Sequence, residues 1–302
     1  MRPVHMSLAR VERGLRQRSS PQLGDSDAAR ALVEWLGTKR SVVALTGAGV
    51  STGSGIPDYR GPQGSYRHGH RPMSHDEFLG KEENRARYWA RALHGYSAFA
   101  AAEPNAAHFG LARIPQIAAV ITQNVDGLHE RVGTENVVAL HGRGDRVRCM
   151  SCDFEGSRAE YHARLRADNP QLEVSEATEL RPDADADVAF TGAELAAFRV
   201  SPCERCGSVI KPDVVFFGDV VPRARVDKCF DYLDKADGLL VAGSSLAVYS
   251  AFRFVDRAHK TNLPICVLNL GPTRADVEGI PITKVEAPAR VLRDVAGLLM
   301  VR

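Results

Sequence analysis

The chain has 302 residues, of which 44% are hydrophobic and 25% charged, as is typical of one large or two modest globular domains. The formal net charge of +2 is too balanced for the basic surface of a nucleic-acid-binding protein, so no nucleic-acid partner is expected. No apolar run approaches the roughly 18–20 residues that cross a bilayer, so no membrane partner is expected either.

The first 24 residues are polar and rich in arginine, with Glu12 as their one acid. Such a composition is found in mitochondrial transit peptides, and it is equally found in frayed termini. The second interpretation, a flexible N-terminus over 1–24, is favoured because the segment has no clear amphipathic stripe. Export is not expected, since no apolar segment follows the charged start.

Helical periodicity and short apolar runs then alternate along the chain. A helix is predicted over about 26–38, where Ala29, Leu32, Val33 and Leu36 recur at helical spacing. Continuous apolar runs predict buried strands at 41–46, 117–122, 137–140, 238–242 and 264–270. Further helices are predicted over about 84–102, 105–113, 224–236 and 248–260. This alternation predicts an α/β fold, a mostly parallel sheet with helices on both faces.

The stretch from 145 to 212 breaks that alternation. It contains two C-x-x-C pairs and a polar segment over 169–187. It has too few apolar residues to fold on a hydrophobic core alone, without further cross-linking. We therefore predict a small domain inserted between the two parts of the α/β domain. Those parts are 25–144, with a helical insertion at about 62–104, and 213–302.

The cysteines of the inserted segment suit one zinc ion. Zn²⁺ takes four ligands in a tetrahedron at ~2.3 Å, and two C-x-x-C pairs supply four thiolates. Because such a shell leaves no open position, the ion would be structural; four unrelated thiols or a redox pair is the alternative. The proposed ligands are Cys149, Cys152, Cys203 and Cys206. The remaining cysteines, Cys229 and Cys266, lie in apolar periodic segments and are predicted to be core.

A glycine-rich segment directly follows the first predicted strand. Its glycines allow backbone to approach a pyrophosphate, although a tight strand-to-helix turn explains them equally well. A carboxylate, a phenol and a guanidinium come next, which indicates a loop folded over a ligand. The candidate cofactor-binding residues here are Gly47, Ala48, Gly49, Ser51, Ile56, Pro57, Asp58, Tyr59 and Arg60.

Polar residues also follow four later strands, and ligands of doubly wound sheets bind outside the carboxyl ends of strands. Asn124 and Asp126 suit a carboxamide and a ribose, and an Asx turn that closes the strand is the less favoured alternative. His141 can exchange a proton near neutral pH, although a lone histidine after a strand is commonly structural. The other candidates, each of which a turn or helix cap also explains, are Gln123, Val125, Gly243, Ser244, Ser245, Asn269, Leu270 and Gly271.

Together these segments resemble the sirtuin family, the NAD-dependent protein-lysine deacylases. The similar sequences span about 230 residues in the family's order: GAGVSTGSGIPDYRG (47–61), TQNVDGLH (122–129), LHG (140–142), the C-x-x-C pairs, KPDVVFFGD (211–219), GSSLAVYSA (243–251) and NLGPTRAD (269–276). RYWAR (87–91) and PNAAH (104–108) resemble the class II branch, in particular its mitochondrial members of the lipoamidase and ADP-ribosyltransferase type and their bacterial relatives.

The resemblance implies a Rossmann-like large domain, a small zinc-binding domain, and a cleft where NAD and an acyl-lysine protein meet. It implies that His141 is the general base, with Asn124 and Asp126 as the other catalytic residues beside Gln123 at the nicotinamide and ribose end. Ala48, Ile56 and Asp58 would contact NAD, Ser244, Ser245 and Asn269 would serve its adenosine half, and Ala287 would be its last contact. Val214, Val215, Phe216 and Gly218 would flank the substrate backbone.

Tyr88 and Arg91 resemble the acid-recognising pair of the desuccinylating branch. Three residues apart on a helix, they would share one face and could hold an acyl carboxylate. A core Tyr88 and a solvated Arg91 is the alternative, and we favour it slightly.

The expected activity is that of a deacylase, which cleaves nicotinamide from NAD and transfers the lysine acyl group to ADP-ribose. Protein mono-ADP-ribosyl transfer and a non-catalytic, zinc-dependent interaction module remain as alternatives. We expect a monomer, in the cytoplasm of a bacterium, or in the mitochondrial matrix if residues 1–24 are a transit peptide.

Overall fold

Six parallel strands form the larger of two sheets in the computed structural model, which describes residues 7–15, 21–61, 64–69, 71–174 and 188–300. The sheet order is β3-β2-β1-β7-β8-β9. The strands, numbered along the chain, are β1 (Val42–Thr46), β2 (Ile117–Thr122), β3 (Val137–Ala139), β7 (Gly238–Ala242), β8 (Ile265–Leu268) and β9 (Thr283–Val285). All five neighbouring pairs run parallel, which confirms the α/β fold that the alternation predicts.

Helices cover both faces of this sheet. Val42 and Ala44 of β1 face one buried cluster, whereas Val43 and Leu45 face the other, because successive strand residues point to opposite sides. The first cluster includes α2 (Asp25–Gly37), α5 (Ala106–Arg113) and α12 (Leu292–Met300). The second includes α9 (Arg223–Leu233), α10 (Tyr249–Lys260) and part of α11 (Arg274–Glu278). Burial on both faces explains why the strands are continuous apolar runs.

A second, antiparallel sheet lies in the segment that breaks the alternation. It has the order β5-β4-β6 and consists of β4 (Gly142–Cys149), β5 (Glu155–Ser157) and β6 (Ile210–Val214). Helices α3 (His75–Gly80), α4 (Glu82–Ala100), α7 (Arg158–Asp168) and α8 (Gly192–Ala197) accompany it. Trp89 of α4 is fully buried 4.7 Å from the ring of Tyr161. Helices α3 and α4 therefore share one apolar core with the cysteine segment.

Three features differ from the expectations. Within 1–24 the structure has helix α1 (Leu8–Leu15), whose Val11 is fully buried; the other parts of the transit-peptide candidate, 1–6 and 16–20, lie outside the described residues. Strand β9 was not predicted, because its sequence Thr-Lys-Val contains no apolar run. Most of the polar segment 169–187 lies outside the described residues, but Asn169 at its start is buried and hydrogen-bonded to the carbonyl of Leu165. Among the described residues, no helix is long and apolar enough to cross a bilayer.

The chain passes from the parallel sheet to the antiparallel one at Gly142. Its φ of +89° is a left-handed conformation, and a Cβ there would lie 1.9 Å from the carbonyl oxygen of Asp213. Only glycine allows β4 to start this close to β6, where Gly142 pairs with Val214.

We expect Gly142→Ala to lower the free energy of unfolding by about 2–4 kcal/mol, because the methyl group would overlap a carbonyl oxygen and alanine is strained at positive φ. Urea denaturation measures this. Gly133→Ala is the matched control, since Gly133 has a φ of +76° with nothing within 4 Å of an added Cβ; it should lose only about 1 kcal/mol. Equal losses in the two variants would contradict the proposed overlap.

Candidate functional site

The loops after β1 and β7 contact each other directly through backbone. The amide of Gly49 donates to the carbonyl of Gly243 at 2.9 Å, and a Cβ on Gly49 would lie 2.8 Å from that oxygen. Gly243 has a φ of +59°, and a Cβ on it would lie 2.6 Å from the amide nitrogen of Val50. These two glycines therefore serve a close approach between two loops at the carboxyl edge of the sheet. A Cβ on Gly47 would likewise overlap Ser244.

Ser51, Asn124 and Asp126 form one hydrogen-bonded cluster at this edge. The Ser51 hydroxyl donates to Asp126 Oδ2 at 2.7 Å and accepts from Asn124 Nδ2 at 2.9 Å. The amide of Leu128 donates to the other oxygen of Asp126 at 3.0 Å. Burial raises the pKa of Asp126, while the Leu128 amide and the Ser51 hydroxyl oppose that shift. The loops after β1 and β2 are thus joined at the two carboxyl-edge side chains predicted to be catalytic.

Gln123 joins the loop after β2 to the loop after β7. Its Nε2 donates to Ser244 Oγ at 2.8 Å and to the carbonyl of Thr46 at 3.2 Å. Ser244 is buried and also accepts from the amide of Leu246. Ser245, by contrast, is only partly buried. Val125 is partly buried as well, and its carbonyl accepts from the amide of Gly144.

The candidate residues after β8 form a turn that is closed by the Asn269 side chain. Asn269 Nδ2 donates to the carbonyls of Leu270 and Gly271 at 2.9 and 3.1 Å. The amide of Gly271 donates to Glu286, a buried carboxylate that the sequence interpretation missed. Ala287 is fully buried in the core cluster of α2, α5 and α12, where its side chain contacts protein.

His141, two residues after the end of β3, has both ring nitrogens hydrogen-bonded. Its Nδ1 lies 3.0 Å from the carbonyl oxygen of Gln123, and its Nε2 lies 2.8 Å from Ser250 Oγ. Because a carbonyl only accepts, Nδ1 carries the proton and Nε2 is the basic nitrogen. Burial lowers the pKa of His141 to about 4, so the imidazole is neutral at physiological pH.

The residues from Ile56 to Arg60 fold back on the protein. Ile56 is buried beside Phe99, and Asp58 accepts from the amide of Gly61 at 2.6 Å, which closes a turn. Arg60 stacks on the ring of Tyr66 and forms an ion pair at 3.2 Å with Glu12 of α1. The remaining residues of this loop also lie on it, with Pro57 partly buried and the Tyr59 ring 5.3 Å from that of Tyr66. Ala48 opens a single 3₁₀ turn at its start.

The segment that follows β6 connects His141 to the aromatic core of the small domain. The amide of Val215 donates to the carbonyl of His141 at 2.8 Å. Buried Lys211 donates to the carbonyl of Val214 and forms an ion pair with Asp219 at 3.1 Å, so it closes the loop at both ends. Gly218 turns that loop with a φ of +82°.

Tyr88 lies in that aromatic core. It is 8% exposed, and its ring lies 5.4 Å from that of Phe216 and 5.3 Å from that of Phe78. This placement agrees with the core alternative for Tyr88, while Arg91 is partly exposed. Through Phe216, the tyrosine nevertheless borders the candidate substrate segment.

The four candidate zinc ligands converge. Their sulfur atoms all lie within 4.8 Å of one another, with Cys149 and Cys206 3.5 Å apart and Cys152 and Cys203 3.7 Å apart. Four sulfurs at ~2.3 Å from one ion are about 3.8 Å apart in a tetrahedron, so these residues fit a zinc ion. All six cysteines are free of disulfide bonds, and Cys229 and Cys266 are buried in the core as predicted.

Two further polar residues of the site were not singled out from the sequence. Asn105 Nδ2 donates to the Val50 carbonyl and to Ser54 Oγ, both at 2.8 Å, and so fixes the glycine-rich loop. Ser250 contacts His141. Both lie inside segments similar to the family, PNAAH and GSSLAVYSA, but a serine or asparagine at the start of a helix is ordinarily interpreted as a cap.

The parallel sheet carries its polar strand ends at one edge, and it is joined to a small antiparallel sheet with four convergent cysteines. This combination defines a Rossmann-like protein with a zinc-binding module. The Sir2 family model matches residues 47–250, and the chain belongs to the Sir2 family.

Relatives and solved structures agree with this assignment. The chain is 48% identical over 250 residues to a Bordetella bronchiseptica protein named NAD-dependent protein deacetylase, covering 82% of this chain and 90% of that one. It is 44% identical over 255 residues to the NAD-dependent protein deacylase Sirt4 of Drosophila melanogaster, covering 83% and 81%. A structure from a study of the mechanism and regulation of Sir2 enzymes superposes with a TM-score of 0.70 at 28% identity, covering 92% of this chain and 100% of that one. A Sir2–p53 peptide–NAD⁺ structure gives 0.66 at 29% identity, covering 89% and 96%.

Metal analysis should find one zinc ion per chain, and Cys206→Ala should lose it, because three thiolates hold the ion far less tightly than four. A chelator should lower the melting temperature, since the free energy of zinc binding contributes to the free energy of folding of the small domain. Cys229→Ala, which removes a cysteine outside the cluster, should keep its zinc. Unchanged melting after confirmed zinc loss would contradict a structural zinc.

Proposed function

We propose that this protein is an NAD-dependent protein-lysine deacylase, which cleaves nicotinamide from NAD and passes the acyl group of the lysine to ADP-ribose. The observation that carries the proposal is the placement of His141. Its neutral imidazole is hydrogen-bonded at both nitrogens, and Nδ1 contacts the carbonyl of Gln123, the residue directly before Asn124. Relatives named deacetylase and deacylase, at 44–48% identity over most of the chain, support it.

The polar cluster suits the first step of this reaction. The acyl oxygen is a weak nucleophile, so nicotinamide must leave readily as that oxygen bonds to the anomeric carbon of the ribose. Ser51 holds both Asn124 and Asp126 by hydrogen bonds. Asn124 offers its amide to the carboxamide of nicotinamide, and Asp126 offers its buried carboxyl group to the positive charge that develops on the sugar. Gln123 and the loop residues of 47–60 would line the same end, with Ser244, Ser245 and Asn269 toward the adenosine.

His141 suits the second step. A ribose hydroxyl gives its proton to Nε2, and the resulting oxygen attacks the former acyl carbon. Water then releases free lysine and O-acyl-ADP-ribose, so NAD is consumed. The acyl-lysine peptide would pair with the Val214–Gly218 segment, whose backbone is bonded to His141.

Further properties belong to the same proposal. We assign the chain to the class II branch, on the resemblance of its RYWAR (87–91) and PNAAH (104–108) segments to that branch. The NAD-binding domain would comprise 25–144 and 213–302, and the zinc-binding domain 145–212. We also propose that the protein acts in the bacterial cytoplasm, on the origin of the Bordetella relative. That it is a monomer stays a prediction from the sequence. Acid recognition by Tyr88 and Arg91 is not favoured, because Tyr88 packs in the core.

Mono-ADP-ribosyl transfer shares the first step but uses another nucleophile, and the names of the relatives do not favour it. A non-catalytic zinc module is opposed by the intact hydrogen-bonded set around Asp126 and His141.

Mass spectrometry of NAD with lysine peptides that carry acetyl, succinyl, methylglutaryl, lipoyl and long-chain acyl groups tests the proposal. We expect nicotinamide and O-acyl-ADP-ribose in equal amounts. His141→Ala should lower deacylation at least about 100-fold yet retain nicotinamide release, because the base acts only after nicotinamide has left. His259→Ala, an exposed histidine of α10, is the matched control and should behave like the unchanged protein.

NAD cleavage without any change in an acyl peptide would instead support ADP-ribosyl transfer. Absence of NAD cleavage with every peptide and protein would support the interaction module.

A further inference from the structure

Ser250 makes a side-chain contact with the basic nitrogen of the proposed general base. It is the second residue of α10, and its Oγ lies 2.8 Å from His141 Nε2. The two residues are 109 positions apart in the chain and are brought together by the α/β fold. The mechanism above gives Ser250 no part.

The direction of this hydrogen bond is fixed by the other side of the ring. Nδ1 lies 3.0 Å from the Gln123 carbonyl and must donate, so Nε2 holds a lone pair and the Ser250 hydroxyl must donate to it. A single bond from Nδ1 leaves an imidazole free to tilt about its Cβ–Cγ axis. The Gln123 carbonyl fixes the tautomer, and a second bond on the opposite nitrogen fixes the ring plane as well.

Helix capping does not explain the serine. A serine near a helix start ordinarily accepts a hydrogen bond from a backbone amide of the first turn. The N-cap of α10 is Val248, and no side chain caps the helix. The hydrogen bond found for the Ser250 hydroxyl is the one to the imidazole.

Charged groups around the imidazole favour the same arrangement. Arg225 and Arg253 lie near enough for their positive charges to disfavour a second proton on His141. Arg225 forms an ion pair with Asp213 at 3.5 Å, and Arg253 stacks on the ring of Tyr249. The resting ring is therefore neutral, and its one lone pair points to Ser250.

We propose that Ser250 is a positioning residue for His141, whose hydroxyl holds the imidazole with Nε2 aimed as the base that accepts the ribose proton. This inference rests on the proposed function. When the ribose hydroxyl arrives, Ser250 Oγ yields the lone pair by rotation about one side-chain bond. The proton moves from the ribose oxygen to Nε2, Nδ1 keeps its proton on the Gln123 carbonyl, and the serine gains and loses none.

The test compares Ser250→Ala with Ser250→Thr, which keeps the hydroxyl. Each variant is assayed for deacylation and, separately, for exchange of labelled nicotinamide into NAD, which reports the step before the base acts. We expect Ser250→Ala to lower deacylation about tenfold while exchange stays within about twofold, and Ser250→Thr to restore most of the deacylation. Equal losses in both assays, unchanged deacylation in Ser250→Ala, or a threonine variant as defective as the alanine variant would overturn the proposal.

Nitrogen NMR of the imidazole gives a readout that is independent of activity. In the unchanged protein His141 should show one neutral tautomer with the proton on Nδ1, and in Ser250→Ala its Nε2 resonance should shift as the hydrogen bond is lost. An unchanged Nε2 resonance would overturn the proposed contact. His141→Ala is used to assign the signals. The NMR readout also separates the two proposals: failure of NAD cleavage in the unchanged protein would overturn the proposed function, whereas the Ser250–His141 contact is tested by the Nε2 resonance alone.

Discussion

The parallel pairing of β1 with both β2 and β7 is the constraint on which the site depends. Thr46 is in register with Thr122 on one side and with Ala242 on the other, so three strands end at the same level. The loops that follow these three strands therefore lie next to one another. Gly49 and Gly243 permit the closest of these contacts, and Ser51 joins the loops after β1 and β2 by hydrogen bonds. The register of the three strands thus determines where the side chains of the site lie.

Burial determines how those side chains behave. Removing an imidazole from water disfavours its charged form, and removing a carboxylate disfavours its charged form as well. Burial therefore keeps the imidazole of His141 neutral, and it raises the pKa of Asp126 against the opposing effect of the Leu128 amide and the Ser51 hydroxyl. The same physical effect thus favours the neutral form of both side chains beside one sheet edge.

Much of this arrangement was predictable from the sequence, because it depends on local patterns. The apolar runs gave five of the six strands of the large sheet, and the cysteine spacing gave the convergent thiols. What was missed depends on contacts between distant residues. Strand β9 is three residues long with Lys284 at its centre, and Trp89 packs on Tyr161 of the cysteine segment, so neither is visible as a local pattern. The Ser250–His141 bond joins a helix start to a strand end, which no spacing rule predicts.

We propose that the carboxyl edge of β1, β2 and β7 holds NAD with its nicotinamide toward Asp126 and its ribose toward His141. A crystal structure of the protein with a non-cleavable NAD analogue and an acetyl-lysine peptide tests it most directly. We expect the carboxamide beside Asn124 and Asp126, a ribose hydroxyl within hydrogen-bond distance of His141 Nε2, and the adenosine near Ser244 and Asn269. An analogue bound away from this edge, or bound with its adenosine at Asp126, would contradict it.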